Sequence, residues 1–74
     1  MKVRDIKFLS IKDLAKLLII LNKNYRTQCK LLNSYKFGTE EYIIEREIWN
    51  LTYRNINLVK RRMRNIIRQQ RKVI

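Results

Sequence analysis

From Arg54 to Lys72 the chain carries eight basic side chains and no acid: Arg54, Lys60, Arg61, Arg62, Arg64, Arg68, Arg71 and Lys72. Six are arginine, whose planar fork meets phosphate oxygens through paired hydrogen bonds and whose flat face stacks on bases. Arg54, Arg61, Arg64, Arg68 and Arg71 follow steps of 7, 3, 4 and 3, so on a helix they form one stripe. A charge run is ordinarily a solvated face. Here no glutamate interleaves to neutralise it, and a polyanion partner is the better reading. Lys2, Arg4 and Lys7 form a second basic group, whose bland alternative is a solvated terminus. Tyr35, Lys36 and Phe37 sit at the one turn-like cluster. Aromatics at a loop tip stack on a base or a protein, or pack back onto the helices.

Other chemistry is poorly supplied. There is no histidine and one cysteine, Cys29, so neither a disulfide nor a protein-built zinc site is expected. Ser10 and Ser34 are the only serines; the first reads as a helix cap, the second as a loop residue. Glu40, Glu41, Glu45 and Glu47 cluster in one helix, spaced for solvent rather than for acid–base work across a cleft. A lone Gly38 makes no phosphate-cradling loop. No enzyme, cofactor, metal or small-molecule substrate is expected.

The elements that must position the basic stripe are helices. Proline is absent and glycine occurs once, which leaves few breakers. Ser10 begins a capping pattern with Asp13 three residues on, an acid that also suits the helix dipole. Ile11, Leu14, Leu18, Leu21, Tyr25, Cys29 and Leu32 then recur at helical steps, with Lys12, Lys16, Lys23, Arg26 and Lys30 off the stripe. This predicts a helix over about 11–32, ending in Asn33–Gly38. Thr39 caps a second helix over about 40–70, with Glu40 and Glu41 in its first turn. Its seam is Tyr42, Trp49, Ile56 and Met63 at spacing seven, with Tyr53, Val59, Ile66 and Ile67 beside it. A shorter stripe, Ile44, Ile48, Leu51 and Leu58, lies on another face. The expected fold is all-α: an antiparallel two-helix hairpin preceded by a short basic arm over residues 1–9.

Length and charge say that this hairpin needs company. Seventy-four residues make one domain and bury only about 60% of the unfolded surface. Chains this small usually need a disulfide, a metal or a partner. The net charge of +12 repels itself and attracts polyanions. The longest apolar run, Leu17–Leu21, is far below the roughly 20 residues of a membrane span. The first residues lack a secretory apolar core and carry Asp5 and Asp13, unlike a transit peptide, so the chain reads as complete. Among polyanions, RNA fits best. A-form RNA is met by shape and phosphate contacts, which need a rigid basic surface. A membrane helix needs a broader apolar face, and a DNA-reading helix–turn–helix spacing is absent.

The arrangement resembles large-subunit ribosomal protein L twenty-nine. The resemblance is carried by Arg4-Asp5-Ile6, then Leu9-Ser10, then Asp13-Leu14, with Leu17, Leu18 and Leu21 continuing the first helix and the basic run from Arg54 to Arg64 in the second. The chain departs from the family at Tyr25–Gln28 and at Asn55–Leu58. The resemblance implies a hairpin packed on large-subunit ribosomal RNA near the nascent-chain exit tunnel, beside ribosomal protein L twenty-three. The basic stripe and arm of this sequence would then supply the RNA contacts, from Lys2, Arg4, Lys7, Arg54, Lys60, Arg61, Arg62, Arg64, Arg68 and Arg71, with Ile44, Ile48 and Leu51 as a candidate protein contact. Eleven Ile, seven Asn and four Tyr are residues with AU-rich codons. Together with the departures they suggest an organellar member, mitochondrial or plastid, or else the cytoplasmic ribosome of an AT-rich bacterium. The competing readings are a coiled-coil subunit of a non-ribosomal assembly and a peripheral membrane helix.

Overall fold

The computed structural model describes residues 3–73, and Lys2 lies outside them. It contains three helices: α1 (Val3–Ile6), α2 (Ile11–Ser34) and α3 (Glu40–Val73). The two long helices pack against each other as an antiparallel hairpin. A rise of about 1.5 Å per residue makes α3 about 51 Å long, in line with a molecular long axis of 53 Å.

Local chemistry sets the helix ends. Ser10 is extended (φ −69°, ψ 163°) and its Oγ accepts from the Asp13 N–H at 3.2 Å, satisfying one of the first-turn donors that a helix leaves unpaired. α2 runs to Ser34, two residues past the expected end, where the Ser34 hydroxyl bonds back to the Leu31 carbonyl at 2.6 Å. The Tyr35 N–H then closes on Leu32. The chain reverses in a tight turn in which the Thr39 N–H donates to the Lys36 carbonyl at 3.2 Å. Gly38 holds the third position with φ 85°, the left-handed value that a side chain resists. Thr39 accepts from the Tyr42 N–H at 3.3 Å and so starts α3. With no breaker before the end, α3 continues to Val73 rather than to 70.

The core is Leu14 and Leu21 of α2, Ile56 and Val59 of α3, and Ile6 of α1, which is 1% exposed. Leu9, Leu17, Leu18, Tyr25, Leu58, Met63 and Ile66 pack around it. The short N-terminal arm does not stand off from the hairpin: α1 docks on α3 and buries Ile6. Two helices share a seam but cannot close it, and one buried isoleucine supplies the missing wall at about 1.5–3 kcal/mol.

The heptad line also drifts. A straight helix slips about 20° per seven residues, so Ile56 is buried while Tyr42, Trp49 and Met63 are half-buried. The buried centre shifts toward Thr52 and Val59. The Thr52 hydroxyl is satisfied by donating to the Ile48 carbonyl at 3.2 Å. Tyr53 and Ile67, expected beside the seam, are left on its exposed rim.

Candidate nucleic-acid interface

On α3, Arg54, Lys60, Arg61, Arg64, Arg68 and Arg71 are all exposed. Helical steps bring Arg54, Arg61, Arg64, Arg68 and Arg71 to one flank, turned away from Ile56 and Val59. α3 makes this row rigid over about five turns without consuming the guanidinium groups.

Arg62 is placed differently. It is half-buried, and its Nη2 donates to the Lys7 carbonyl at 2.9 Å. Its Nε is buried without a hydrogen-bond partner. Helical geometry puts it on the opposite side of the core line from the arginine row. Arg62 therefore ties α1 to α3 through one of its nitrogens, a contact that Arg61 and Arg64 do not make. The same contact carries Arg4 and Lys7, both exposed, to the basic half of α3. The Lys7 ammonium lies 5.9 Å from the Phe8 ring centre, within cation–π reach.

The outer side of α2 carries further cations. Lys23, Arg26 and Lys30 line a shallow groove of about 610 Å³ on α2 with Ile19, Asn22 and Thr27. Their spacing of 3 and 4 was visible, but nothing in it said which flank of the hairpin they occupy. A second shallow groove, about 580 Å³, lies between the helices and is lined by Leu18, Asn57, Lys60, Met63, Arg64 and Ile67.

Aromatic rings cluster where the helices cross. Tyr25 and Trp49 have centroids 5.4 Å apart, Tyr25 and Tyr53 6.3 Å, and Trp49 and Tyr53 6.0 Å with planes 16° apart. The Trp49 indole N–H donates to Cys29 Sγ at 3.0 Å. Desolvation pushes the Tyr25 hydroxyl above its ordinary pKa, and the neighbouring Cys29 adds to the rise. At the loop, Phe37 leans on Tyr42 at 5.1 Å yet stays largely exposed; Tyr35 and Lys36 are exposed beside it.

Ile44, Ile48 and Leu51 form an exposed apolar row toward the hairpin tip. Leu58, the last member of that stripe, is half-buried and lines a small hollow with Ile6, Arg61, Arg62 and Asn65. Docking of α1 thus covers one end of the row and leaves the other open. The four glutamates lie at this open end and the acid-free run at the other, so the molecule is electrically polarised along its length. Among the described residues no helix is long and apolar enough to cross a membrane, and no three acids, cysteines or histidines gather as metal ligands. Comparison with protein-family models, with curated proteins and with solved structures finds no match.

Proposed function

We propose that this chain is a structural, non-catalytic component of the large ribosomal subunit that binds ribosomal RNA through the basic flank of α3. One observation carries the proposal: an acid-free row of exposed arginines held on a rigid helix. Such a row follows a phosphate backbone without reading sequence. Arg54, Lys60, Arg61, Arg64, Arg68 and Arg71 are its main contacts. Arg4 and Lys7 extend it at the α1 end. The resemblance of residues 3–14 to the L twenty-nine family points to the tunnel exit, and the isoleucine- and asparagine-rich composition to an organellar ribosome. Ile44, Ile48 and Leu51 then face a neighbouring protein such as ribosomal protein L twenty-three.

Sedimentation of a native lysate in low and high salt, with and without ribonuclease, tests this. Co-migration with the large subunit, surviving moderate salt and lost after ribonuclease, is expected. Migration elsewhere, indifferent to ribonuclease, overturns it. One observation favours a second reading: the uncovered Ile44, Ile48 and Leu51 row also suits a helical partner in a non-ribosomal assembly. In that case the complex persists after ribonuclease.

A further inference from the structure

Tyr53 is 49% exposed, yet its ring is held in position. Trp49 stacks beside it at 6.0 Å with planes 16° apart, and Tyr25 reaches across from α2 at 6.3 Å. Trp49 is itself fixed by its bond to Cys29 and by Tyr25 at 5.4 Å. A half-exposed ring supported from behind presents an aromatic surface whose rotamer freedom is already lost before anything binds.

The surroundings of that ring are cationic. Arg46 and Lys60, both exposed, lie seven residues before and after Tyr53, two turns away on the same side of α3. Across the seam, Arg26 follows Tyr25 and shares the α2 groove with Lys23 and Lys30. By helical position, Arg46 and Lys60 on α3 and Arg26 next to Tyr25 on α2 offer cations around the aromatic cluster. A ligand suited to this pattern has negative charge at its edges and a flat π-face between them, which describes a nucleotide. A paired base inside an A-form helix cannot offer its face, whereas one in a bulge or loop can.

We propose that Tyr53 is a stacking platform for an unpaired nucleobase, with the phosphates on either side of it meeting Arg26 and Lys60. This rests on the RNA-binding reading and adds a preference that phosphate contacts alone do not give. It makes the protein a reader of irregular RNA rather than of duplex alone.

The test uses the full chain and two RNA probes, a fully paired hairpin and the same hairpin with a two-adenosine bulge. Trp49 is the single tryptophan, so its fluorescence reports on the platform. Tighter binding of the bulged RNA, by about 5- to 100-fold, with quenching of Trp49, is expected. Tyr53→Phe should keep that preference, and Tyr53→Leu should lose it while the salt dependence stays. Circular dichroism checks that the leucine variant is folded; if it is not, the wild-type comparison of the two hairpins decides alone. Equal, salt-dependent binding of both hairpins overturns the platform and leaves the RNA reading standing. Absence of salt-dependent binding to either overturns both.

Discussion

The Arg62 guanidinium donates to the carbonyl of Lys7, 2.9 Å away and 55 residues earlier in the chain. One cation of the basic run is thereby turned inward and secures the N-terminal segment. Removing it should act on folding more than on RNA. Arg62→Ala is expected to cost about 1–2 kcal/mol, since a charged donor is lost from a neutral acceptor. Chemical denaturation measures this. An unchanged midpoint would mean that the contact contributes nothing.

Arg61 and Arg64, exposed on the outer flank, should behave in the opposite way. Each replacement by Ala is expected to leave stability within about 0.5 kcal/mol and to lower the salt slope of RNA affinity by about one. Titrating RNA at several ionic strengths checks both, and an unaltered slope would remove these two residues from the interface.

Ile6 is as buried as Leu14. Ile6→Ala should therefore destabilise by about 2–4 kcal/mol, in the range of a core truncation. A cost near that of an exposed site would show that α1 is a passive attachment.

Gly38 has open space where a Cβ would sit, but its φ is 85°. Gly38→Ala meets no clash and still has to hold a left-handed backbone, at a cost of about 1 kcal/mol. A thermal melt that does not move would imply that the turn has shifted to another conformation.

Tyr25 gives a pH signature. Its hydroxyl pKa is raised in the fold by desolvation, then by Cys29. The neutral form is the one the fold favours, so its contribution is complete below the unfolded pKa of about 10. It is lost as pH rises from there through the higher folded value. The stability difference between the wild type and Tyr25→Phe should thus stay constant to about pH 10 and then move against the wild type. Lysine titration is common to both proteins and cancels in the comparison.

Elements built from local chemistry were legible in the residues. The Ser10 cap, the Gly38 turn and the two helical periods each depend on neighbours within four positions, and the hairpin follows from a short loop between long helices. The helix ends came out two and three residues longer than the patterning suggested, because asparagine, serine and the charged C-terminal residues weaken a helix without stopping it. Ile6 and Arg62 could not be read this way. A single isoleucine in a basic arm has no period, and a guanidinium satisfied 55 residues away looks like its neighbours. For the site, the arginine row was legible as spacing. The α2 row of Lys23, Arg26 and Lys30 was visible only as residues off a stripe. Only Arg26 of that row is next in sequence to Tyr25, and Tyr25 meets Tyr53 only once the hairpin closes.

Cys29 faces Trp49 and Tyr25 faces Tyr53; continued, this pairing places Ile11 opposite Ile67. Beyond that point α3 runs on with no α2 residue across from it, and Arg68, Gln69, Gln70 and Arg71 are all exposed. Arg68 to Arg71 therefore lie on a part of α3 that continues the helix without packing on α2. Like charges at Arg64 and Arg68, and at Arg68 and Arg71, oppose the helix by about 0.2–0.5 kcal/mol per pair. The protein is in effect a lever with a projecting arm: α3 carries Arg68 and Arg71 past the end of the hairpin, where a polyanion meets them without approaching α2.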